Sequence, residues 1–513
     1  MSSGHKCDIH TFFQNFRVDT KIICCIPVLL ADKNGSEKTS KVKQQKFAGK
    51  ILIVGFGSIG QGVLPLLLRH LTVPATDITI VTADKRGRAV AKEFGVRFIL
   101  EPLTPDNYEK IVLSHIGRGD FLLNVSVAVS STDLIKLCQE NGILYLDTVV
   151  EPWAGYYTDS SLSMSERSNY ALREKALALR TLPISGPRPT AVVAHGANPG
   201  LVSHFVKEAL LLIAKDTGEK ITEPKTREEW AQLSQKLGVK VIHIAERDTQ
   251  APKKPKMMDE FVNTWSVDGF YSEGCQPSEM GWGTHEKHMP EKGRKHDFGC
   301  GAAIYLEQPG LATQVRSWTP ISGPQYGWVI THNESISIAD YLTVRNGGNR
   351  VAYRPTVHYA YHPCDGAVLS LIETAERGGT LQNISRLISG EILTGGVDEL
   401  GVLLMGHKKN ALWYGSRLSI DEARTLAPHN NATGLQVCAG ILGAMIWAIR
   451  NPSAGILDAD EIDHRTVMEA ARPYLGKMLA EYTDWTPLSG RGELFPEKLD
   501  LKDPWQFNNF LVD

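Results

Sequence analysis

Six polar residues stand beside apolar runs in this chain: Glu151 in VVEPW, Asn198 in GANPG, Glu246 in HIAERD, then Glu273, His332 and Asp398. Taken singly, each reads equally well as a cap, an ion-pair partner or a solvated surface group. Taken together they are mostly acidic and adjoin strand ends, where side chains of α/β proteins meet ligands.

A redox partner for that cluster is written in Lys50–Gly62, KILIVGFGSIGQG. The β-formers Ile51–Val54 run into Gly55, Gly57 and Gly60, and a helical pattern follows from Ser58 to about Leu71. Gly55 permits the tight turn, Gly57 lets backbone approach a pyrophosphate, and Gly60 lets helix and strand pack closely. Free N–H groups at the helix start, at Ser58 and Ile59, then face phosphate. A second strand, Ile78–Ala83, ends in Asp84, 24 residues past Gly60, where an acid takes the ribose 2′-OH of NAD. Lys85, Arg86 and Arg88 stand near enough to pair with a 2′-phosphate, so NADP stays open; Asp84 argues for NAD.

Other chemistries find less support. His358 and His362 in HYAYH have the i, i+4 spacing of two metal ligands on a helix. Pro355 and Pro363 bracket an extended-looking segment with no HExxH glutamate, so these histidines are expected to be structural and no metal site is expected. His285 and His288 in THEKH are weaker still, and no GxSxG, P-loop or HRD motif occurs.

The elements that must carry these residues follow from pattern. After the opening unit come a helix over Arg86–Phe94, a strand over Val96–Leu100, a helix opened by Pro105, and a strand over Phe121–Val127. A helix over Ser130–Asn141, stopped by Gly142, leads to a fifth strand, Ile143–Asp147. Short apolar strands alternating with helices mean a parallel sheet covered on both faces. Asn124, Ser126 and Thr148, at strand ends, are candidates to line the dinucleotide.

Further on, a helix is expected over Ser168–Leu182, a strand over Thr190–Ala194, a turn at Asn198-Pro199-Gly200 and a helix over Leu201–Leu212. Strands are expected over Val239–Ala245 and Phe261–Phe270. Residues 275–330 are rich in Gly, Pro and Trp and read as long loops. An apolar helix is expected over Thr433–Arg450, and a surface tail over 483–513.

Length and composition set the frame. A chain of 513 residues holds two or more domains. Its 42% hydrophobic and 22% charged residues are ordinary for a soluble protein, and a net charge of −2 points to neither nucleic acid nor a membrane surface as partner. The eight cysteines, with no CxxC, fit reduced thiols in the cytoplasm. Ile22–Ala31 is apolar but too short to span a bilayer and follows a poor signal-peptide start, so residues 1–48 read as an appendage of unknown role.

VGFGSIGQG, LDTVVEPW, RSNYALRE, GANPG, TREEW, HIAERDTQ, FVNTWS, GWGT, THNESISIAD, YHPC, DELGVLL and DPWQF together resemble the bacterial-type homospermidine synthases, in the saccharopine dehydrogenase-like group. The likeness runs from about residue 49 to the end. It implies a Rossmann NAD-binding domain at 49–155 with a returning segment near 432–460. An α/β mixed-sheet domain for substrate binding and dimerisation would follow at 156–431, then a C-terminal tail at 461–513. The implied reaction is aminobutyl transfer from putrescine or spermidine to putrescine, giving sym-homospermidine in polyamine biosynthesis, by a cytoplasmic homodimer. NAD acts there as a retained redox group: an imine forms, the second amine displaces the first, and the same hydride returns.

The residue types suit that chemistry. Hydride leaves a carbon only if its nitrogen offers a lone pair. Deprotonating an alkylamine of pKa about 10.4 at pH 7 costs about 4.6 kcal/mol. The site must therefore hold a base near the nicotinamide and acids for the far ammonium. By resemblance, Asn198 and Glu246 hold the reacting amine and His332 is the proton-transfer candidate. Glu151, Glu273 and Asp398 would bind the distal ammonium, and Trp265 would face the cationic path, where a desolvated cation–π contact is worth about 2 kcal/mol. Some relatives carry an acid just after the fourth strand, where this chain has Ala128, so its outer amine site carries one charge fewer. Two other readings stand beside this one. A saccharopine reductase or carboxynorspermidine synthase would line its pocket with arginines for a carboxylate substrate. A dinucleotide sensor would bind NAD without turnover.

Overall fold

The structure is a computed structural model that describes residues 28–31, 37–40 and 44–512, apart from 348–349. Val28–Ala31 and Glu37–Ser40 pair as antiparallel strands. The rest of the N-terminal appendage up to residue 43, with Cys7, Cys24, Cys25 and most of the apolar Ile22–Ala31 run, lies outside the described residues.

Two sheets organise the described chain. The first is parallel throughout, and its seven strands run in the spatial order Ile456–Asp458, Ala191–Val193, Leu144–Asp147, Phe121–Asn124, Ile51–Val54, Ile78–Thr82 and Arg97–Leu100. The central strands are buried along their whole length, as apolar strands covered on both faces must be. Chain order reverses between Ile51–Val54 and Phe121–Asn124, which opens a crevice beyond their carboxyl ends. Helix Ser58–His70 starts there, and helix Ser131–Asn141 runs from Ser130, whose Oγ accepts from Asp133 N–H, to left-handed Gly142. This sheet reaches past residue 155: it takes in Ala191–Val193 and, from far along the chain, Ile456–Asp458.

The second sheet is mixed and has ten strands. Its middle sets Thr356–His362 parallel to Val241–Asp248, with Val397–His407 antiparallel on the other side and Asn410–Ser419 and Lys477–Thr483 beyond. Alternation sorts the side chains of the two central strands. Glu246, Asp248, Tyr359 and Tyr361 fall on one face, His243 and His358 on the other. The two histidine rings lie 4.1 Å apart and pack against Phe507 and Phe510. Burial pushes His358 down to about 4. HYAYH is thus extended with a structural His358, and no group of metal ligands occurs among the described residues.

Three expectations need correcting. Phe261–Phe270 is not one strand: Glu260–Asn263 is, and a helix, Val267–Cys275, follows, started by Ser266 whose Oγ accepts from Gly269 N–H at 3.0 Å. That cap outweighs the apolar alternation. Residues 275–330 are not mainly loop. They supply Pro277–Gly281, Gly293–Lys295, Ala303–Pro309, Gln314–Thr319 and Gly323–Trp328 to the second sheet. The 483–513 segment does not simply lie on the surface: Trp485, Trp505, Phe507 and Phe510 are buried in an apolar cluster against this sheet.

Helix Ala432–Arg450 is long and apolar enough to cross a membrane by length and composition, but it is buried within the protein. It packs on helix Ser58–His70 of the first unit and on strands of the second sheet, so both sheets share one apolar core.

Candidate active site

The crevice of the first sheet is a groove of about 430 Å³. Gly55, Gly57, Ser58, Ile59, Asp84, Arg86 and Ser126 line it. Gly55 has φ +85°, and a Cβ there would lie 2.7 Å from the backbone of Ser126. A Cβ on Gly57 would meet nothing of the protein, so the space above it is open to a ligand. Gly60 does not line the groove; its hydrogens face Gly55 O, 2.9 Å from where a Cβ would sit. These residues fit a dinucleotide: free helix-start N–H groups, an open approach over Gly57, and an acid at the second strand end. Asp84 accepts from Arg86 N and Nη2, each at 2.8 Å. Asn124 departs from expectation. It is buried beneath the groove, and its Oδ1 accepts from Ser126 N and Oγ, so it positions Ser126 rather than lining the crevice.

Through Ile59, Val125, Ser126, Val127 and Ser266 the groove continues into an inner cavity of about 140 Å³. Thr148, Glu151, Asn198, Glu246, Trp265, Glu273, His332, Tyr359 and Thr433 are among its walls, and among the described residues no lysine or arginine is. Asn198 is delivered by a loop folded on itself. Gly196 N donates to Pro199 O at 2.7 Å, Asn198–Pro199 is cis, and Gly200 sits at φ +125° with Gly196 O only 2.3 Å from a Cβ position. Only glycine accommodates that geometry.

Glu246 is the hub. Its Oε2 accepts from Asn198 Nδ2 at 2.8 Å and from the Tyr359 hydroxyl in a very short bond. Asn198 Nδ2 also donates to Tyr359 Oη at 2.6 Å. Burial, with neighbouring Asp248 adding repulsion, raises the Glu246 carboxyl well above the usual range. Burial also pushes Glu151, a cavity wall only 8% exposed, up to about 8.

His332 lies between two carboxylates, Nδ1 at 3.2 Å from Glu334 and Nε2 at 3.2 Å from Glu273. Burial alone would lower its pKa, but the charges of Glu334 and Glu273 outweigh that and raise it to about 10. The imidazole therefore sits charged at neutral pH, rather than titrating there as the sequence suggested. Its ring faces Tyr359 at 4.5 Å, and Tyr359 stacks on Tyr361 at 5.1 Å. Trp265 lines the cavity as expected, with Nε1 donating to Tyr361 Oη at 3.3 Å.

Asp398 is placed differently from the sequence reading: it stands behind the wall. Its Oδ2 accepts from Thr433 Oγ1, which does reach the cavity, and its Oδ1 has no partner among the described atoms. It faces Asp248 across paired strands, and burial and the charges of Glu246 and Asp248 raise its carboxyl strongly. Tyr359 and Glu334 were missed from sequence. Both were within reach of its rules, since Tyr359 falls on the Glu246 face of a strand and Glu334 lies two residues past His332.

Beyond Glu151 and Val127, which it shares with the inner cavity, opens a vestibule of about 490 Å³ lined by Ala128, Trp153, Tyr157, Arg167, Tyr271 and Glu307 among others. The ensemble can hold a dinucleotide end-on to a small, acid-walled, aromatic chamber reached through a wider antechamber.

Comparison with known proteins agrees with this architecture. The family model described as saccharopine dehydrogenase NADP binding domain matches residues 51–183, and that described as saccharopine dehydrogenase C-terminal domain matches 196–484. A homospermidine synthase of Blastochloris viridis is 55% identical over 467 residues, covering 90% of this chain and 97% of that protein. One of Mesorhizobium japonicum is 52% identical over 472 residues, covering 91% and 97%. The crystal structure of a homospermidine synthase from Legionella pneumophila in complex with NAD superposes with a TM-score of 0.85 at 48% identity, covering 92% of this chain and 99% of that one.

Proposed function

The chain belongs to the homospermidine synthase family of saccharopine dehydrogenase-like enzymes, and from that premise we propose how its residues make homospermidine. It is an NAD-using enzyme that transfers an aminobutyl group. The observation that carries the reading is the inner cavity: Glu151, Glu246 and Glu273 wall it, no lysine or arginine among the described residues does, and it opens into the dinucleotide groove. A carboxylate-bearing substrate, as a saccharopine reductase or carboxynorspermidine synthase would take, finds no cationic partner there. A diammonium finds several.

NAD, when bound, takes a hydride from the amine-bearing carbon and later gives it back. Gly55, Gly57, Ser58, Ile59, Asp84 and Ser126 would hold it. Asn198 and Glu246 orient the reacting amine, and Glu246, its pKa raised toward neutrality, accepts the ammonium proton that must leave before hydride can. His332, held charged by Glu273 and Glu334, is the acid that protonates the departing nitrogen, so ammonia (or 1,3-diaminopropane, from spermidine) leaves as the second amine adds. Glu246 as base and charged His332 as acid divide the proton work. Trp265 lines the cavity and offers an aromatic face to the cation. Thr433 carries the influence of Asp398 into the cavity.

The inner cavity suits one aminobutyl arm, and the second arm would reach past Glu151 into the vestibule. We assign the first sheet, with its returning segment, to cofactor binding, and the second sheet to substrate binding and dimerisation. We place the enzyme in the cytoplasm as a homodimer; the five described cysteines, all free, support a reducing compartment. The test is incubation with putrescine and mass spectrometry of the products. Homospermidine and ammonia without net NADH accumulation are expected; net consumption of NAD(P)H would replace this reading with a reductase.

A further inference from the structure

One helix borders both the cofactor groove and the amine cavity. Val267–Cys275 begins at Ser266, which lines both spaces, puts exposed Asp268 on the groove, and sends Glu273 into the cavity to meet His332. Asp268 is out of place by simple electrostatics. A carboxylate beside a groove for a pyrophosphate repels the ligand unless a cation intervenes. A cation that lines the same groove is Arg86. Asp84 already engages its Nη2 at 2.8 Å, but a guanidinium has five donors, and Asp84 and, further off, Asp268 both favour its charge. Its side chain is 74% exposed at the groove mouth.

We propose that Arg86 and Asp268 form a clasp across the dinucleotide, linking Asp84 of the cofactor unit to helix Val267–Cys275, and that this clasp slows the release of NAD. It rests on the reading that NAD fills this groove. An enzyme that borrows and returns one hydride cannot let the carrier leave between the two events, so retention is part of its specificity. The residues act on the release of the cofactor, not on the reacting atoms.

The test is exchange of bound NAD against excess isotope-labelled NAD, followed by mass spectrometry. At low salt, Asp268→Asn is expected to release NAD about fivefold faster than wild type, the effect of one exposed ion pair. Arg86→Gln should do the same, and the double variant should be no faster than either single one, as for two halves of one contact. Asp268→Glu should stay near wild type, and the difference should fade at about 0.5 M salt. Equal exchange in wild type and Asp268→Asn at low salt, or additive single effects, overturns the clasp. A wild-type protein that binds no NAD overturns the cofactor reading itself.

Discussion

The dinucleotide groove and the amine cavity adjoin, yet they are built from different materials. The groove is mainly backbone: a strand end, two glycines and a helix start within a dozen residues, plus strand ends from one sheet. The cavity is mainly side chains, brought by the Asn198 loop, two central strands of the other sheet, helix Val267–Cys275 and the residue before helix Asn333–Tyr341. A site made of backbone tolerates exchange of side chains but not of conformation; a site made of carboxylates tolerates the reverse.

The largest effect that would break this contrast is at Glu246. Glu246→Gln is expected to lower product formation about 10³-fold, the scale of a lost general base, with NAD content unchanged. Normal turnover would remove Glu246 from the site. Tyr359→Phe comes next. It deletes the hydroxyl that stabilises ionised Glu246, so kcat should fall roughly tenfold to a hundredfold, as for a hydrogen bond to a charge, and the acid limb of the pH–rate profile should move upward. An unmoved limb would mean that Tyr359 only packs.

In the groove the order inverts. Gly55→Ala forces a left-handed residue and a Cβ against Ser126, so it should cost about 1–2 kcal/mol in thermal or denaturant unfolding and strip the NAD, whereas Ser58→Ala should change NAD affinity little. If Ser58→Ala proves the more damaging, the backbone account of the groove fails.

The smallest effect is a pH dependence. Glu151 sits at about 8 when folded against a usual 4.5, so the free protein binds the extra proton when native and loses stability as pH rises through that window. An ammonium favours the ionised carboxyl, so diamine binding near pH 7 should release protons and tighten as pH rises toward 8. Calorimetry in buffers of different ionisation enthalpy checks both signs, and Glu151→Gln should abolish much of the release.

The same contrast explains what the sequence disclosed. The groove was legible because its signal is local: GFGSIG and Asp84 are spaced by a strand, a helix and a strand, and the first-sheet strands fell within a few residues of expectation. Asn124 was misjudged because a strand end offers either its side chain or its neighbour's to the ligand. For the cavity, spacing was silent and the family resemblance named most residues. What it left out, Tyr359 and Glu334, and what it placed differently, Asp398, depended on which face of a strand or loop each side chain took. The expectation that His332 titrates near neutrality failed for the same reason, since its place between Glu273 and Glu334 is set by the fold. Ser266 shows the limit of periodicity: aromatic and branched residues over Phe261–Phe270 alternate like a strand, yet one hydroxyl at the right place starts a helix.

The position of Ile456–Asp458 in the first sheet has a consequence for biogenesis. This edge strand lies against Ala191–Val193 but leaves the ribosome only after the whole second sheet except Lys477–Thr483 has been made. The nucleotide-binding half therefore waits, one border unpaired, while the intervening chain is translated. Neither half can be excised as an N-terminal or C-terminal fragment without leaving the other torn, and a premature stop after the glycine-rich unit would yield an incomplete, adhesive sheet rather than a smaller working protein.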